Sequence, residues 1–451
     1  MCRIKQSSLF FQHDFTPCLI HREEEEHTQG SWRKFPKPST VESYRGIYGF
    51  CSESNTGSRY VARILMTYEV GRGSEDATDI RHTKTTQGRR MNLALSERGM
   101  SALRLVGIKD EDIQKFTVPV RGRILHTQDG KRVPFSSDRK GRCFYSVIRK
   151  KLNEVLLEAA EKNPNVQFFY KHKFLNCCFK TGKYQVQGLD GKVIEDSTDL
   201  LIGCDGAYSA VRQQMVKMSR FDYNQSYFEQ GYIELGFPTT ADGQFTMETD
   251  YLHFWPREQM LMTALPNSNC TYTGSLFMPF ETFEQTNTPK KLLQLFSENF
   301  PDAISLIGKE KLVTDFLNTS PYAMVSIKCN SYHVEDKVLI LGDAAHAMLP
   351  FGFQGMNAGF EDCEILSELL TTHNYDLKKV LPAFTKYRQR DAEVVCDLAK
   401  SNYNVITFSK LRYSQCLARK QAQDKIISNL FWSVAIITLF FTITLLAGLG
   451  Q

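Results

Sequence analysis

The chain has 451 residues, of which 42% are hydrophobic and 23% charged, an ordinary globular composition. Its 55 basic and 50 acidic side chains give a net charge of only +5. Because there is no dense run of Lys or Arg and no zinc-finger spacing, nucleic acid is excluded as an expected partner. Twelve scattered cysteines without a CxxC pair predict neither a metal centre nor a disulfide framework, and they favour a reduced, cytosol-facing compartment.

In the first third of the chain, a segment without a clear secondary-structure pattern is followed by a predicted strand and a predicted helix. Residues 1–60 combine Ser, Thr, Gly, Pro and charges without a sustained period, so we predict a poorly structured segment there. The run RILMTYE (63–69) is typical of a short strand that ends at Glu69. LNEVLLEAAEKN (152–163) has apolar residues at helical spacing and predicts a helix.

Two apolar runs each end in a turn that combines glycine with aspartate. LLIGCDG places Asp205 before Gly206, and VLILGD places Asp343 after Gly342. A helical pattern follows each turn, and after Asp343 it begins at Gln354. An unpaired buried carboxylate is costly, so Asp343 is expected to cap a helix, pair with a cation or accept hydrogen bonds from a ligand. The repeated pattern predicts an α/β layer with ligand groups at strand ends.

Between these turns the texture is that of an antiparallel sheet. Short strand-like runs within 231–280 are separated by Pro, Gly, Asn and Asp. We predict that this sheet is inserted in the α/β body and forms a wall over a small-molecule crevice.

The carboxyl end predicts a membrane anchor. Residues 430–450 contain no charge over 21 positions, close to the length of about 20 residues that crosses a bilayer. A buried core helix is the alternative, but core helices seldom remain apolar all round for so long. Basic residues precede the run and predict a cytosolic orientation of the globular part: Lys410, Arg412, Arg419, Lys420 and Lys425.

Several motifs carry a resemblance to a known family. GRRMNLALSERG (88–99), LLIGCDGAYSAVR, YLHFWPR, and LGDAAHAM followed by QGMNAGFED resemble the class A FAD-dependent aromatic hydroxylases, and within them the kynurenine 3-monooxygenase family, particularly its insect members. The similarity extends from about residue 65 to the C-terminus. It implies an α/β, Rossmann-like FAD-binding fold with an incomplete N-terminal βαβ unit, an inserted antiparallel-sheet substrate domain, C-terminal helices and the transmembrane tail.

The resemblance also implies domain limits. They are the FAD-binding domain at 61–215 and 326–400, the substrate domain at 216–325, a C-terminal helical region at 401–428 and the anchor at 429–451, after the poorly structured residues 1–60.

The reaction implied by the resemblance is the hydroxylation of L-kynurenine to 3-hydroxy-L-kynurenine, in tryptophan degradation and NAD biosynthesis. NADPH reduces FAD, O2 forms a flavin C4a-hydroperoxide, and the flavin therefore carries the chemistry without a catalytic side chain. The family location implied is the mitochondrial outer membrane, with the globular part facing the cytosol. His346 is interpreted as a structural residue and not as a general base, because the electron-rich aminophenyl ring of kynurenine needs no strong base to react with a peroxide.

The resemblance assigns site residues position by position. Arg123 matches an arginine that binds the substrate carboxylate, which suits guanidinium geometry, and Phe135, Asn402 and Tyr403 match other substrate positions. Glu69 matches the acid that binds the adenosine ribose, and Asp343 the aspartate that binds the ribityl chain. The full set implied to contact FAD is Tyr68, Glu69, Ala94, Arg149, Phe174, Asp205, Ala210, Asp343, Met356 and Asn357, several of them through backbone.

The chain departs from the family pattern at four places. No GxGxxG turn occurs before Glu69, and residues 401–413 join regions that the family separates by a helical stretch. Phe135 stands where the family has Tyr, and Gly352-Phe353 inverts the family's aromatic-glycine order. Two alternatives therefore stay open: a related hydroxylase for another aromatic acid, and a chain without FAD that is a non-catalytic membrane protein or an incorrectly joined gene product.

Overall fold

The computed structural model describes residues 62–67, 92–136, 143–164, 166–188, 190–218 and 220–408. Tyr68, Glu69, residues 1–60 and the predicted anchor at 430–450 lie outside them. Asn402 and Tyr403 lie in a described helix, but their side chains are outside the description. Within these ranges, no helix is both long and apolar enough to cross a membrane.

Two sheets with parallel pairs form the α/β layer. The first has the order β1-β7-β8-β9, formed by Ala62–Thr67, Val166–Cys177, Lys183–Gln187 and Val193–Ser197. The second has the order β10-β17-β16, formed by Leu201–Gly203, Val338–Ile340 and His333–Val334. β1 is parallel to β7, and β10 is parallel to β17. The strand predicted at 63–69 is thus confirmed over its described residues 63–67, and the strand predicted at 338–341 is confirmed and fully buried in the largest core cluster.

Helices surround these strands. Those that follow strands or turns are α3 (Arg149–Glu161), α4 (Ala210–Met218), α9 (Asp343–His346), α10 (Gly355–Thr372) and α11 (Leu377–Phe408). The helices predicted at 152–163 and from Gln354 are thereby confirmed as α3 and α10. The two aspartate turns thus lie at the carboxyl ends of the adjacent parallel strands β10 and β17.

A small sheet packs beside this layer. Its order is β2-β6-β3, formed by Asn92–Leu95, Phe144–Ile148 and Thr117–Val120, with helices α1 (Glu97–Leu105) and α2 (Asp110–Gln114). Gly99 on α1 faces α10 at close range, because a Cβ there would lie 2.7 Å from Asn357 Oδ1 and 3.2 Å from Phe360 Cδ2. A side chain at residue 99 would therefore push α1 away from α10.

The predicted antiparallel strands form the centre of a seven-stranded sheet. Its order is β15-β11-β14-β13-β12-β4-β5, formed by Tyr322–Cys329, Tyr223–Phe237, Tyr272–Pro279, Met260–Pro266, Tyr251–Arg257, Gly122–His126 and Arg132–Ser136. Only the β4–β12 pair among these described strands is parallel. The sheet takes β4 and β5 from before residue 216, so it extends beyond the span predicted for the substrate domain; the domain limits stay predictions.

One face of this sheet is covered by four helices that the sequence analysis did not predict. They are α5 (Phe280–Gln285), α6 (Pro289–Asn299), α7 (Pro301–Ile307) and α8 (Lys309–Leu317). Trp255, Met262 and Leu276 point to this face and form a core with helix residues such as Phe296. Since side chains alternate along a strand, their neighbours in sequence point to the other face, where the candidate site lies.

Candidate functional site

The face of the seven-stranded sheet that is opposite α5–α8 forms the floor of a cavity. Every second residue of three adjacent strands lines it, as the strand period requires. The floor residues are Leu252 and Phe254 on β12, Leu261, Thr263 and Leu265 on β13, and Thr273, Ser275 and Phe277 on β14. The space between the lining atoms is about 760 Å³, with the open mouth of the cavity included.

The opposite wall of the cavity is the loop between α9 and α10. Pro350, Phe351 and Phe353 line it, and the Phe351 ring lies 5.0 Å from that of Phe277, centroid to centroid. Phe353 has φ of +55°, the left-handed region that favours glycine. The chain therefore keeps a left-handed backbone at the second position of the Gly352-Phe353 pair, with phenylalanine in place of the glycine that the resemblance implies.

Arg123 is the cationic residue of the cavity wall among those that the structure describes. It lies on β4, where it is opposite Leu252 on one side and Phe135 on the other. The fold thus brings together two of the four predicted substrate residues. Asn402 and Tyr403 lie on α11, and their part in the site stays a prediction.

Asp205 caps a helix. Its Oδ2 accepts hydrogen bonds from the backbone N–H groups of Ala210 (2.7 Å) and Val211 (3.2 Å), at the start of α4. Its Oδ1 is buried and receives no hydrogen bond from the residues that the structure describes. One oxygen of the predicted FAD ligand therefore stabilises the fold, while the other is available to a ligand.

Asp343, by contrast, does not cap the helix that it begins. Gly342 is the N-cap of α9, with φ of +56°, and no side chain caps this end. No hydrogen bond joins the Asp343 carboxylate to another described side chain or backbone group. Burial raises the pKa of Asp343 to about 6, against the effect of His346 and of Arg149, and nearby Asp362 raises it further. Two predicted FAD residues, Arg149 and Asp343, are therefore close enough to interact electrostatically.

A buried charged network that the sequence analysis missed holds the turn at Gly342. Asp362 on α10 accepts hydrogen bonds from the Gly342 N–H (2.8 Å), from His346 Nε2 (2.7 Å) and from Arg388 Nε (2.6 Å). Arg388 on α11 also pairs with Glu361 at 2.8 Å. Complete burial acts to raise the pKa of Asp362, but the effects of His346, Arg388 and the Gly342 N–H together hold it below its ordinary value. Asp362 and Arg388 are 26 positions apart, and no spacing rule in the sequence connects them.

Asn357 clamps the start of α10 to β2. Its Oδ1 accepts from the Ser96 N–H at 2.9 Å, and its Nδ2 donates to the carbonyls of Ala94 and Phe353, each at 2.8 Å. The side chain is therefore fully used inside the protein. Backbone N–H groups are what Asn357 and its half-buried neighbour Met356 can still offer a ligand, and a contact of either residue with FAD stays a prediction.

The remaining predicted FAD residues have mainly structural surroundings. Phe174 is 3% exposed and lies in the largest core cluster. Ala210 uses its N–H to bind Asp205. A contact of either residue with FAD stays a prediction.

The described residues fit the flavin half of FAD. The 18-residue helix α10 begins without a side-chain cap, so no side chain neutralises the partial positive charge of its first N–H groups. Asp343 approaches this helix, since a Cβ at Gly355 would lie 4.0 Å from its Oδ1. Carboxylate acceptors suit ribityl hydroxyls, and a helix N-terminus suits the anionic edge of a reduced flavin. No described segment supplies a GxGxxG turn for the pyrophosphate.

Comparison with known proteins agrees with this geometry. The model of the FAD binding domain family matches residues 80–376. The fold is similar to that of pqsL, a probable FAD-dependent monooxygenase from Pseudomonas aeruginosa, with a TM-score of 0.59 at 16% identity over 74% of this chain and 91% of that one. It is also similar to Klebsiella pneumoniae HpxO complexed with FAD and uric acid, with a TM-score of 0.58 at 17% identity over 77% and 87%. Fold and site define an FAD-binding protein with the class A hydroxylase fold.

Closer relatives narrow the class. The chain is 44% identical over 395 residues to kynurenine 3-monooxygenase from Anopheles gambiae, covering 79% of this chain and 81% of the relative. It is 38% identical over 408 residues to kynurenine 3-monooxygenase from Sus scrofa, covering 83% and 86%. The chain belongs to the kynurenine 3-monooxygenase family. The two alternatives left open by the sequence analysis are not favoured by these matches.

Proposed function

We propose that this protein is an FAD- and NADPH-dependent monooxygenase that hydroxylates L-kynurenine to 3-hydroxy-L-kynurenine with O2. The observation that carries the proposal is the position of Arg123 in a mostly apolar cavity. The wall opposite the sheet continues directly into the helix whose N-terminus fits a flavin.

The cavity suits an aromatic amino acid. Arg123 supplies a planar cation for a bidentate pair with the carboxylate. Leu252, Leu261, Phe254 and Phe277 supply apolar surface for an aryl ring. An arginine at one end and an aromatic wall at the other would orient the ring away from the carboxylate.

The protein's own part in the reaction is binding, orientation and exclusion of water. FAD, when bound, supplies the redox and oxygen-transfer chemistry. Asp343 would accept hydrogen bonds from the ribityl hydroxyls, and the first N–H groups of α10 would stabilise negative charge on the flavin. The apolar loop residues Phe351 and Phe353 would keep water from the reacting ring.

Flavin content and substrate-dependent NADPH oxidation test the proposal. Purified full-length protein is expected to show flavin absorbance and to oxidise NADPH faster when kynurenine is added, with 3-hydroxykynurenine as product. Arg123→Lys is expected to raise KM for kynurenine about 10-fold or more, because a point charge replaces a bidentate fork. Arg121→Lys is the matched control, since Arg121 is exposed and lies 4.0 Å from Asp250. Colourless protein, or equal KM values in all three proteins, would contradict the proposal.

We also propose that residues 430–450 anchor the protein in the mitochondrial outer membrane, with the globular part facing the cytosol. The uncharged run and the basic residues before it support this proposal. Deletion of 430–451 is expected to move the protein from the membrane pellet to the supernatant. Continued pelleting at the same fraction would contradict the tail as the anchor.

A further inference from the structure

Asn92 is a buried amide in the cavity wall to which the resemblance assigned no role. It lies on β2, is 4% exposed and lines the same cavity as Arg123. Its Nδ2 donates to Asn267 Oδ1 at 2.6 Å, to Ser146 Oγ at 3.0 Å and to the Pro266 carbonyl at 3.3 Å. The amide nitrogen thus connects β2 to the end of the β13–β14 hairpin.

These contacts determine which way the amide points. The Pro266 carbonyl can only accept a hydrogen bond. The Thr271 hydroxyl donates its hydrogen to Asn269 Oδ1, so it accepts from Asn267 Nδ2 and thereby orients the Asn267 amide. A reversed Asn92 amide would place its oxygen against two acceptors, so Nδ2 must remain on this side.

This orientation leaves the amide oxygen of Asn92 without a hydrogen-bond donor among the described residues. Oδ1 is buried, and none of the described residues donates a hydrogen bond to it. A buried acceptor without a donor destabilises the protein, so an acceptor kept in a ligand cavity suggests a donor on the ligand.

We infer that Asn92 Oδ1 accepts a hydrogen bond from the aromatic amine of the substrate, and that Asn92 thereby selects amino-substituted rings. The inference rests on the proposed function. Kynurenine carries an amine on the ring at one end and a carboxylate at the other. A carboxylate would repel Asn92 Oδ1, whereas Arg123 can only donate. Asn92 therefore binds the amine end of the substrate and Arg123 the carboxylate end, which fixes the orientation of the substrate in the cavity.

The sheet geometry places Asn92 and Arg123 at a suitable separation. Arg123 is on β4, β12 is its neighbour, and β13 with the Asn92 contact at Pro266 follows β12. Two strand spacings make about 10 Å between the Arg123 and Pro266 backbones. This span accommodates an amino-acid head, a short ketone linker and an ortho-amino ring between the two side chains.

Ligand discrimination tests the inference without relying on turnover. Calorimetry on the FAD-loaded full chain would compare Kd for kynurenine with Kd for the analogue that lacks the ring amine, 2-amino-4-oxo-4-phenylbutanoic acid. Wild type is expected to prefer kynurenine about 10-fold, the effect of roughly one hydrogen bond from a buried group. Asn92→Leu, similar in volume, is expected to reduce the ratio of the two Kd values to about 1.

Ser146→Ala separates this role from the structural one. It removes an acceptor of Asn92 Nδ2 but leaves Oδ1 in place, so the Kd ratio is expected to remain near that of wild type. If Asn92→Leu keeps the wild-type ratio, or if wild type shows no preference, the inference is overturned. Failure of wild type to bind either ligand would overturn the proposed function, and the inference with it. Preference for kynurenine that survives in Asn92→Leu would overturn the inference alone.

Discussion

We interpret Asp343 as a carboxylate that serves a ligand and destabilises the ligand-free fold, and Asp343→Asn tests this interpretation. Asp343 follows the buried strand β17, and its carboxylate receives no hydrogen bond from the described residues. Burial raises the pKa of this carboxyl group to about 6. We expect Asp343→Asn to raise the free energy of unfolding of the flavin-free protein at pH 7.5 and to weaken FAD binding.

The magnitude follows from the pKa. The ordinary value is 3.8, and a tenfold change in proton affinity corresponds to about 1.4 kcal/mol. The rise in pKa from 3.8 to about 6 therefore corresponds to a destabilisation of the folded protein by about 3 kcal/mol at most at pH 7.5. Because the side chain is partly exposed, solvent screening reduces this to about 1–3 kcal/mol.

The sign of the pH dependence follows from the same values. Because the folded state holds the Asp343 proton more tightly than the unfolded chain, this group favours folding most below about pH 4. Its contribution is lost as the pH rises from about 4 through about 6. The gain from Asp343→Asn is therefore expected to be largest above pH 6 and smaller at pH 5.

Urea unfolding of the flavin-free protein at pH 5 and pH 7.5 measures the stability gain and its pH dependence. Titration with FAD measures the affinity for the cofactor. Asp205→Ala is the matched comparison, because Asp205 ends the neighbouring parallel strand but caps α4. We expect it to lower stability by about 0.5–2 kcal/mol. A less stable Asp343→Asn protein at pH 7.5, or equal gains at the two pH values, would refute the reasoning.

The other predictions concern the Asp362 network and the loop over the cavity. Arg388→Met is expected to lower the free energy of unfolding by about 3–5 kcal/mol, because it leaves the buried Asp362 without its arginine. Arg98→Met, which removes the exposed partner of the shared Glu361, should cost less than about 1 kcal/mol; equal losses in urea unfolding would argue against the network. Phe353→Gly is expected to be about 1 kcal/mol more stable than Phe353→Ala, since both remove the ring but only glycine accepts φ of +55° readily. Alanine equal to or better than glycine in thermal unfolding would show that the left-handed conformation carries no cost.

Local patterns predicted the parts of this fold that depend on nearest neighbours in sequence. The strand VLIL, the turn at Gly342 and the helix from Gln354 all follow from hydrophobic periodicity and glycine placement. The alternatives for Asp343 could not be decided in this way. Capping depends on where a carboxylate points relative to free N–H groups, and the structure gives the cap to Asp205 and not to Asp343.

Contacts between distant segments were beyond reach of the sequence. Arg388 and Asp362 look like ordinary members of amphipathic helices, and only the packing of α11 on α10 makes them a buried pair. The helices α5–α8 were overlooked because each is short, so their patterns cover too few turns to stand out. The sheet likewise recruits β4 and β5 from a remote segment, which places Arg123 in the cavity.

By itself, the sequence determined the class of fold and the family, because these depend on motifs that are contiguous in the chain; the residues of the flavin side stay predictions. Only the tertiary structure decided which polar groups are used up inside the protein and which remain for a ligand. Asn357, Asp205 and Asn92 are all small polar residues near strand or helix ends in the sequence. Their hydrogen bonds give them different roles: Asn357 joins α10 to β2, Asp205 caps α4, and Asn92 is the candidate substrate ligand. The sequence does not show these roles, because a hydrogen bond depends on distance and direction in space.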